Sequence, residues 1–88
     1  MNQVISQRVE ETIPEITKRY MEGRSFRSFA SGLGINAKGQ NVFQWAKGEH
    51  KPSIETLLNI LASPTAEGWA KSWAGECHAF LVRQTVKN

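Results

Sequence analysis

Residues 23–58, GRSFRSFASGLGINAKGQNVFQWAKGEHKPSIETLL, decide the fold. Three apolar clusters at helical spacing stand in this stretch, each fenced by glycine, proline or a capping hydroxyl. The first carries Phe26, Phe29, Ala30 and Leu33 behind Ser25, whose side chain suits the free N–H groups of a helix start, and it ends by Gly34. The second carries Val42, Trp45 and Ala46 and is closed by Gly48, with Asn36 as the expected cap. Its regular part is expected to begin at Gly39 or Gln40, because a glycine inside a helix costs about 1 kcal/mol relative to alanine. The third covers residues 54–61 behind Lys51-Pro52-Ser53, where proline keeps the residue before it out of helical angles and Ser53 caps. Its Ile54, Leu57, Leu58 and Leu61 form a broad apolar face, so this helix is expected at the centre of the core.

On the N-terminal side, Val4, Ile5, Val9, Ile13, Ile16 and Tyr20 mark an amphipathic helix over residues 3–22. Pro14 interrupts it, lacking an N–H and clashing with the carbonyl four residues back, so the helix kinks or restarts at 13 with Thr12 as its cap. On the C-terminal side, Ser63-Pro64 opens a last helix over residues 64–84, since proline is favoured at a first helical position. That helix aligns Trp69, Trp73, Cys77, Phe80 and Leu81 on one face, and Gly68 and Gly75 weaken it. No β-type alternation of useful length and no repeat interrupts the pattern. The expectation is a single all-α domain over residues 1–88, a compact bundle of about five helices.

Composition narrows the function. The net charge of +3 is modest, but its distribution is not: residues 1–17 carry −2, residues 18–51 carry +5 and residues 52–88 are balanced. A basic middle third is either a solvated face or a polyanion site. Cys77 is the only cysteine, which rules out an intramolecular disulfide and suits a reducing cytoplasm. No apolar run reaches the roughly 18 residues of a membrane span, and MNQVISQRVEE lacks the regions of a secretory signal. His50 and His78 are far apart in sequence, with no metal-ligand spacing, phosphate-cradling glycine loop or nucleophile motif beside them. Neither an enzymatic activity nor a cofactor or metal is therefore expected.

The same central residues resemble the helix-turn-helix domain of the phage Cro and repressor family, the lambda-repressor-like fold. The resemblance rests on Gly23-Arg24-Ser25 before a helix with Phe29-Ala30, then Leu33-Gly34-Ile35, Val42 and Trp45, Lys47-Gly48, and Lys51-Pro52-Ser53 followed by Leu57-Leu58. Two features depart from the family pattern. The interval from Ala30 to Trp45 is two residues longer than its commonest form, which lengthens the turn or extends the front of the second helix. Phe26 stands where a phosphate-binding glutamine is frequent, and Ala46 where an acidic residue often follows the tryptophan.

The resemblance implies a sequence-specific, repressor-like DNA-binding regulator whose second motif helix, around residues 38–47, enters the major groove. Lys38, Gln40, Asn41 and Gln44 are then the candidate base contacts, since an amide can make two hydrogen bonds to adenine and lysine can donate to guanine. Gln44 leads them, because it precedes inward-facing Trp45 and cannot share its face. Arg24, Ser25, Arg27, Lys47 and Lys51 are the candidate phosphate contacts, helped by N–H groups at the start of the helix after Ser25. Paired half-sites imply a homodimer, for which Trp69, Trp73, Phe80 and Leu81 are candidates; packing into the protomer's own core is the competing role for them. The rival function is a protein-binding adaptor on the same fold, antitoxin-like or antirepressor-like, favoured by the modest charge and by Phe26 and Phe43.

Overall fold

In a computed structural model that describes residues 11–86, the chain forms five helices and no strand among those residues: α1 (Ile13–Met21), α2 (Phe26–Gly32), α3 (Gly39–Lys47), α4 (Ile54–Ala62) and α5 (Gly68–Val86). The all-α bundle expected from the sequence is the observed architecture. Val4, Ile5 and Val9, which the apolar stripe would add ahead of α1, lie outside the described residues.

Pro14 acts as a start and not as a kink. Thr12 is extended, Pro14 occupies the first turn where no N–H partner is needed, and the Glu15 carboxylate accepts from both the N–H and the hydroxyl of Thr12. Ser25 and Ser53 cap α2 and α4, accepting from the N–H groups of Ser28 and Thr56 at 3.0 and 3.1 Å. The third cap differs from expectation. Asn36 lies in the connector, and α3 instead begins after Lys38, whose N–H donates to the Asn41 side-chain oxygen at 3.0 Å. Asn41 reaches back from inside the helix, so the cap is on its third residue and not ahead of it.

The core is organised by aromatic rings around Trp73. Phe29 of α2 meets it edge-on at 5.3 Å, Trp45 of α3 stacks on it at 5.5 Å, and its indole N–H donates to the Thr17 hydroxyl of α1 at 3.0 Å. Trp69, one turn earlier on α5, also meets Phe29 edge-on at 4.9 Å. One side chain of α5 therefore ties three other helices together. Trp73 is fully buried. That corrects its candidacy as a dimer contact: an indole with no exposed surface has nothing to offer a second chain. Trp69, Phe80 and Leu81 are half-buried and pack against the same cluster.

Two further expectations are revised. The α4 helix is peripheral, burying Leu57 and Ile60 against α5 while Ile54 and Leu58 stay 42% and 47% exposed. The helical period turns Leu58 away from Ile60, while Ile54, nearly in line with Leu61, is exposed in the first turn of the helix. The last helix starts at Gly68 and not at Pro64, because residues 63–67 are held elsewhere. Buried Ser63 donates to the Gly34 carbonyl at 2.7 Å and accepts from the Thr65 N–H, and the Glu67 N–H donates to the Gly32 carbonyl. These bonds clip the α4–α5 loop onto the end of α2. The glycines do not stop α5, which begins at Gly68 and runs through Gly75.

Gly34 makes that clip close. Its φ is +70°, a left-handed conformation costly for a side-chain-bearing residue, and a Cβ there would stand 2.5 Å from the Ala66 nitrogen and press on the Ser63 hydroxyl. Gly34→Ala is expected to lower stability by about 1–3 kcal/mol. Gly75→Ala, where a Cβ meets nothing within 4 Å, should be neutral or raise it by up to about 1 kcal/mol. Urea unfolding followed by far-UV circular dichroism compares them; equal midpoints for the two variants would remove the argument.

Arg19 joins α1 to α5 through Glu76 and pairs with Glu11 ahead of the helix, while the Tyr20 phenol donates to the other Glu76 oxygen. The Arg19 guanidinium holds both carboxyls below their ordinary range, with Tyr20 adding to the effect at Glu76. A carboxyl whose folded pKa is depressed contributes stability that is present above its unfolded value and lost as pH falls through the folded one. The stability difference between wild type and Glu76→Gln is therefore expected to be fully developed at neutral pH and to shrink as pH drops below the ordinary carboxylate value of 4.5. Denaturant midpoints from pH 7 to pH 3 measure it, and a difference constant across that range would contradict the pairing.

Candidate nucleic-acid interface

The starts of α2 and α3 approach each other closely, and a glycine is the reason. A Cβ on Gly39 would lie 3.2 Å from the Arg27 nitrogen and 3.3 Å from the Phe26 carbonyl carbon, so the first turn of α3 can lean on the first turn of α2. Val42, Trp45 and Ala46 are the buried face of α3, with Trp45 stacked on Trp73 fixing the helix in rotation. Because successive helical residues are 100° apart, Gln40, Gln44 and Lys47 form the stripe opposite that buried face, and Phe43 lies beside it. Gly48 ends the helix in a left-handed conformation, its N–H directed to the Gln44 and Trp45 carbonyls.

The candidate base contacts divide into two kinds. Lys38 and Gln40 are exposed at the start of α3, and Gln44 is half-buried on the same outward stripe. Asn41 is exposed too, but its oxygen is engaged in the cap, leaving only its NH₂ group to reach a base edge. Sequence reading could have found this, since an amide three residues after a helix start is a known capping position.

The candidate phosphate contacts also separate. Arg27 is exposed beside the α2–α3 contact, and Ser25 is exposed while serving as the α2 cap. Lys47 stands over the Phe43 ring at 5.2 Å from its centroid and 3.9 Å from the Glu49 carboxylate, an exposed pair of small energetic consequence. Arg24 has a structural task. Its guanidinium donates to the Tyr20 carbonyl at 2.8 Å and stacks over Trp69 at 3.9 Å, bridging the end of α1 to α5. Lys51 is exposed in the α3–α4 loop, where it lines a depression with Ile54, Leu81 and Gln84 on the α4–α5 side of the molecule.

Sequence reading singled out Phe26 and Phe43 separately but missed their pairing and the depression beside them. Phe26 and Phe43 meet edge to face at 5.3 Å, and both remain near 40% exposed. Next to them an open depression of about 510 Å³ runs over Met21, Phe26 and Ala46, edged by Lys18, Glu22, Arg24 and Lys47. Lys18 enters the basic surface here from α1. Its position in the charge block was visible in the sequence, but its nearness to α2 and α3 required the α1–α3 packing. No protein family, curated protein or solved structure matches the chain.

No group of three or more His, Cys, Asp or Glu side chains that would hold a metal occurs among the described residues, nor is any helix there long and apolar enough to cross a membrane. Cys77 is interior, and burial pushes its thiol up to about 12. The thiolate needed for nucleophilic chemistry is thereby disfavoured at neutral pH.

Proposed function

We propose that the protein is a sequence-specific DNA-binding transcriptional regulator of the helix-turn-helix kind, with α2 and α3 as the motif and α3 as the helix that enters the major groove. The observation that carries this reading is the outward stripe of α3. Gln40 and Gln44 are one turn apart on the face opposite Val42, Trp45 and Ala46, with Lys38 before them and Lys47 after. Amides at that spacing can address base edges while flanking cations neutralise phosphates. Arg27 and Ser25 join Lys47 as phosphate contacts at the edge of the groove, and Lys18 is added to them. Lys51 remains a phosphate candidate from the following loop. The protein acts in the cytoplasm, without a cofactor, and has no catalytic step in this reading.

A homodimer on paired half-sites belongs to the same proposal. With Trp73 interior, its contact falls to the half-buried Trp69, Phe80 and Leu81 and to exposed Val82. A monomeric mass by light scattering at tens of micromolar would remove the dimer from the proposal.

The test of function is selection from a random duplex library at near-physiological salt. Enrichment of a defined site supports the proposal. Without enrichment, the alternative gains: a protein-binding adaptor for which the exposed Phe26–Phe43 pair is the anchor.

A further inference from the structure

We propose that the Phe26–Phe43 pair reads the 5-methyl group of thymine in the major groove, an inference that rests on the DNA-binding reading above. Two large rings on neighbouring helices are held edge to face at 5.3 Å, and each keeps about two-fifths of its surface in water. Together they form an apolar spot on the surface proposed to meet DNA. Phe43 has Gln40 one turn before it and Lys47 one turn after it, while Arg27 follows Phe26. Amides and cations stand around the spot, which on its Phe26 side continues into the depression over Met21 and Ala46, edged by Lys18, Arg24, Lys47 and one carboxylate, Glu22.

That surround decides between the two kinds of occupant. The depression offers room for an apolar side chain of a protein partner, but Lys18, Arg27 and Lys47 around it and the pair outnumber Glu22 and are complementary to a polyanion. The major-groove edge of DNA has the matching pattern. Hydrogen-bond donors and acceptors line it, phosphates bound it, and the one apolar group it offers is the thymine methyl, which phenylalanine can contact. The rings also support each other before any ligand arrives, so little rotational freedom is lost on contact. The pair would add a preference for thymine beside the base addressed by Gln40 or Gln44. It would also account for an aromatic ring at position 26, where the resemblance leads one to expect a polar phosphate ligand.

The test uses the full chain and a duplex recovered from the random library. Each thymine in turn is replaced by deoxyuridine, which keeps the pairing, the O4 acceptor and the charge and removes only the methyl group. At one or two thymines the affinity of the unaltered protein is expected to fall about four-fold, the effect of losing one buried methyl. In Phe43→Ala and in Phe26→Ala, affinity for the thymine duplex should fall and the thymine-to-uracil difference should vanish. Phe43→Leu should keep part of it. The comparison on the unaltered protein does not depend on how any variant folds. A defined site at which every replacement is neutral would overturn this inference and leave the DNA-binding proposal standing. Phenylalanine variants that bind DNA as tightly as wild type would overturn it as well and assign the pair to a protein contact. A library that yields no site would remove both.

Discussion

Trp73→Ala is expected to cost about 3–5 kcal/mol, enough to leave a domain of this size largely unfolded at room temperature. The substitution removes the largest fully buried side chain at the point where α1, α2, α3 and α5 meet. Three losses coincide. The ring's apolar surface is no longer buried, the cavity cannot collapse because Phe29 and Trp45 belong to separate helices, and the buried Thr17 hydroxyl loses the indole N–H that donates to it. Trp73→Phe separates these contributions, keeping an aromatic body and deleting the N–H; its cost should be intermediate. Urea unfolding monitored by far-UV circular dichroism measures both variants. An alanine variant that unfolds within about 1 kcal/mol of wild type would mean that Trp73 is not the centre of the core. The consequence reaches the proposed interface, because Trp45 orients α3 by stacking on this ring.

The contrast between what the sequence disclosed and what it withheld follows the range of the interactions involved. The starts of α1, α2 and α4 were legible because Thr12 with Glu15, Ser25 and Ser53 satisfy N–H groups within three residues of themselves. The buried stripe of α3 was legible because Val42, Trp45 and Ala46 obey one local period. The start of α5 was not. Pro64 offers an acceptable first helical position, but Ser63 is bonded to Gly34, 29 residues away, and that tie holds the segment in a turn. Apolar content likewise overstated α4, since Ile54 and Leu58 are apolar yet keep nearly half of their surface exposed.

The site shows the same division. Periodicity was enough to put Gln44 off the Trp45 face, and the basic block was countable by eye. Arg24 looked equivalent to Arg27 because both are arginines near the same helix start. Only the arrival of Trp69 from the far end of the chain, with the Tyr20 carbonyl beside it, gives Arg24 a different task. Asn41 has a second role that was overlooked for the opposite reason. Its partner, the Lys38 N–H, is local, but an amide at the front of a proposed reading helix invites a base-contact role before a capping one. Asn41→Ala is therefore a poor probe of recognition, because loss of a cap alone can cost about 0.5–2 kcal/mol of stability.

Gln40→Ala/Gln44→Ala avoids this difficulty. Both side chains lie on the outward stripe, neither makes a bond that holds the fold, and alanine is at least as good a helix former as glutamine. If each amide addresses a base, the double variant should lose about 2–6 kcal/mol of discrimination, which places the selected duplex about 30-fold or more closer to a scrambled one. Its residual binding should keep the salt dependence of wild type, because glutamine neutralises no phosphate. Arg27→Ala should behave in the complementary way, weakening selected and scrambled duplexes alike and reducing the slope of log affinity against log salt by about one. Fluorescence anisotropy titrations of both duplexes at several salt concentrations separate the two classes of contact in one experiment. A double variant that retains the preference for the selected site would take base reading away from α3, and a wild-type affinity indifferent to salt would take phosphates away from the basic block.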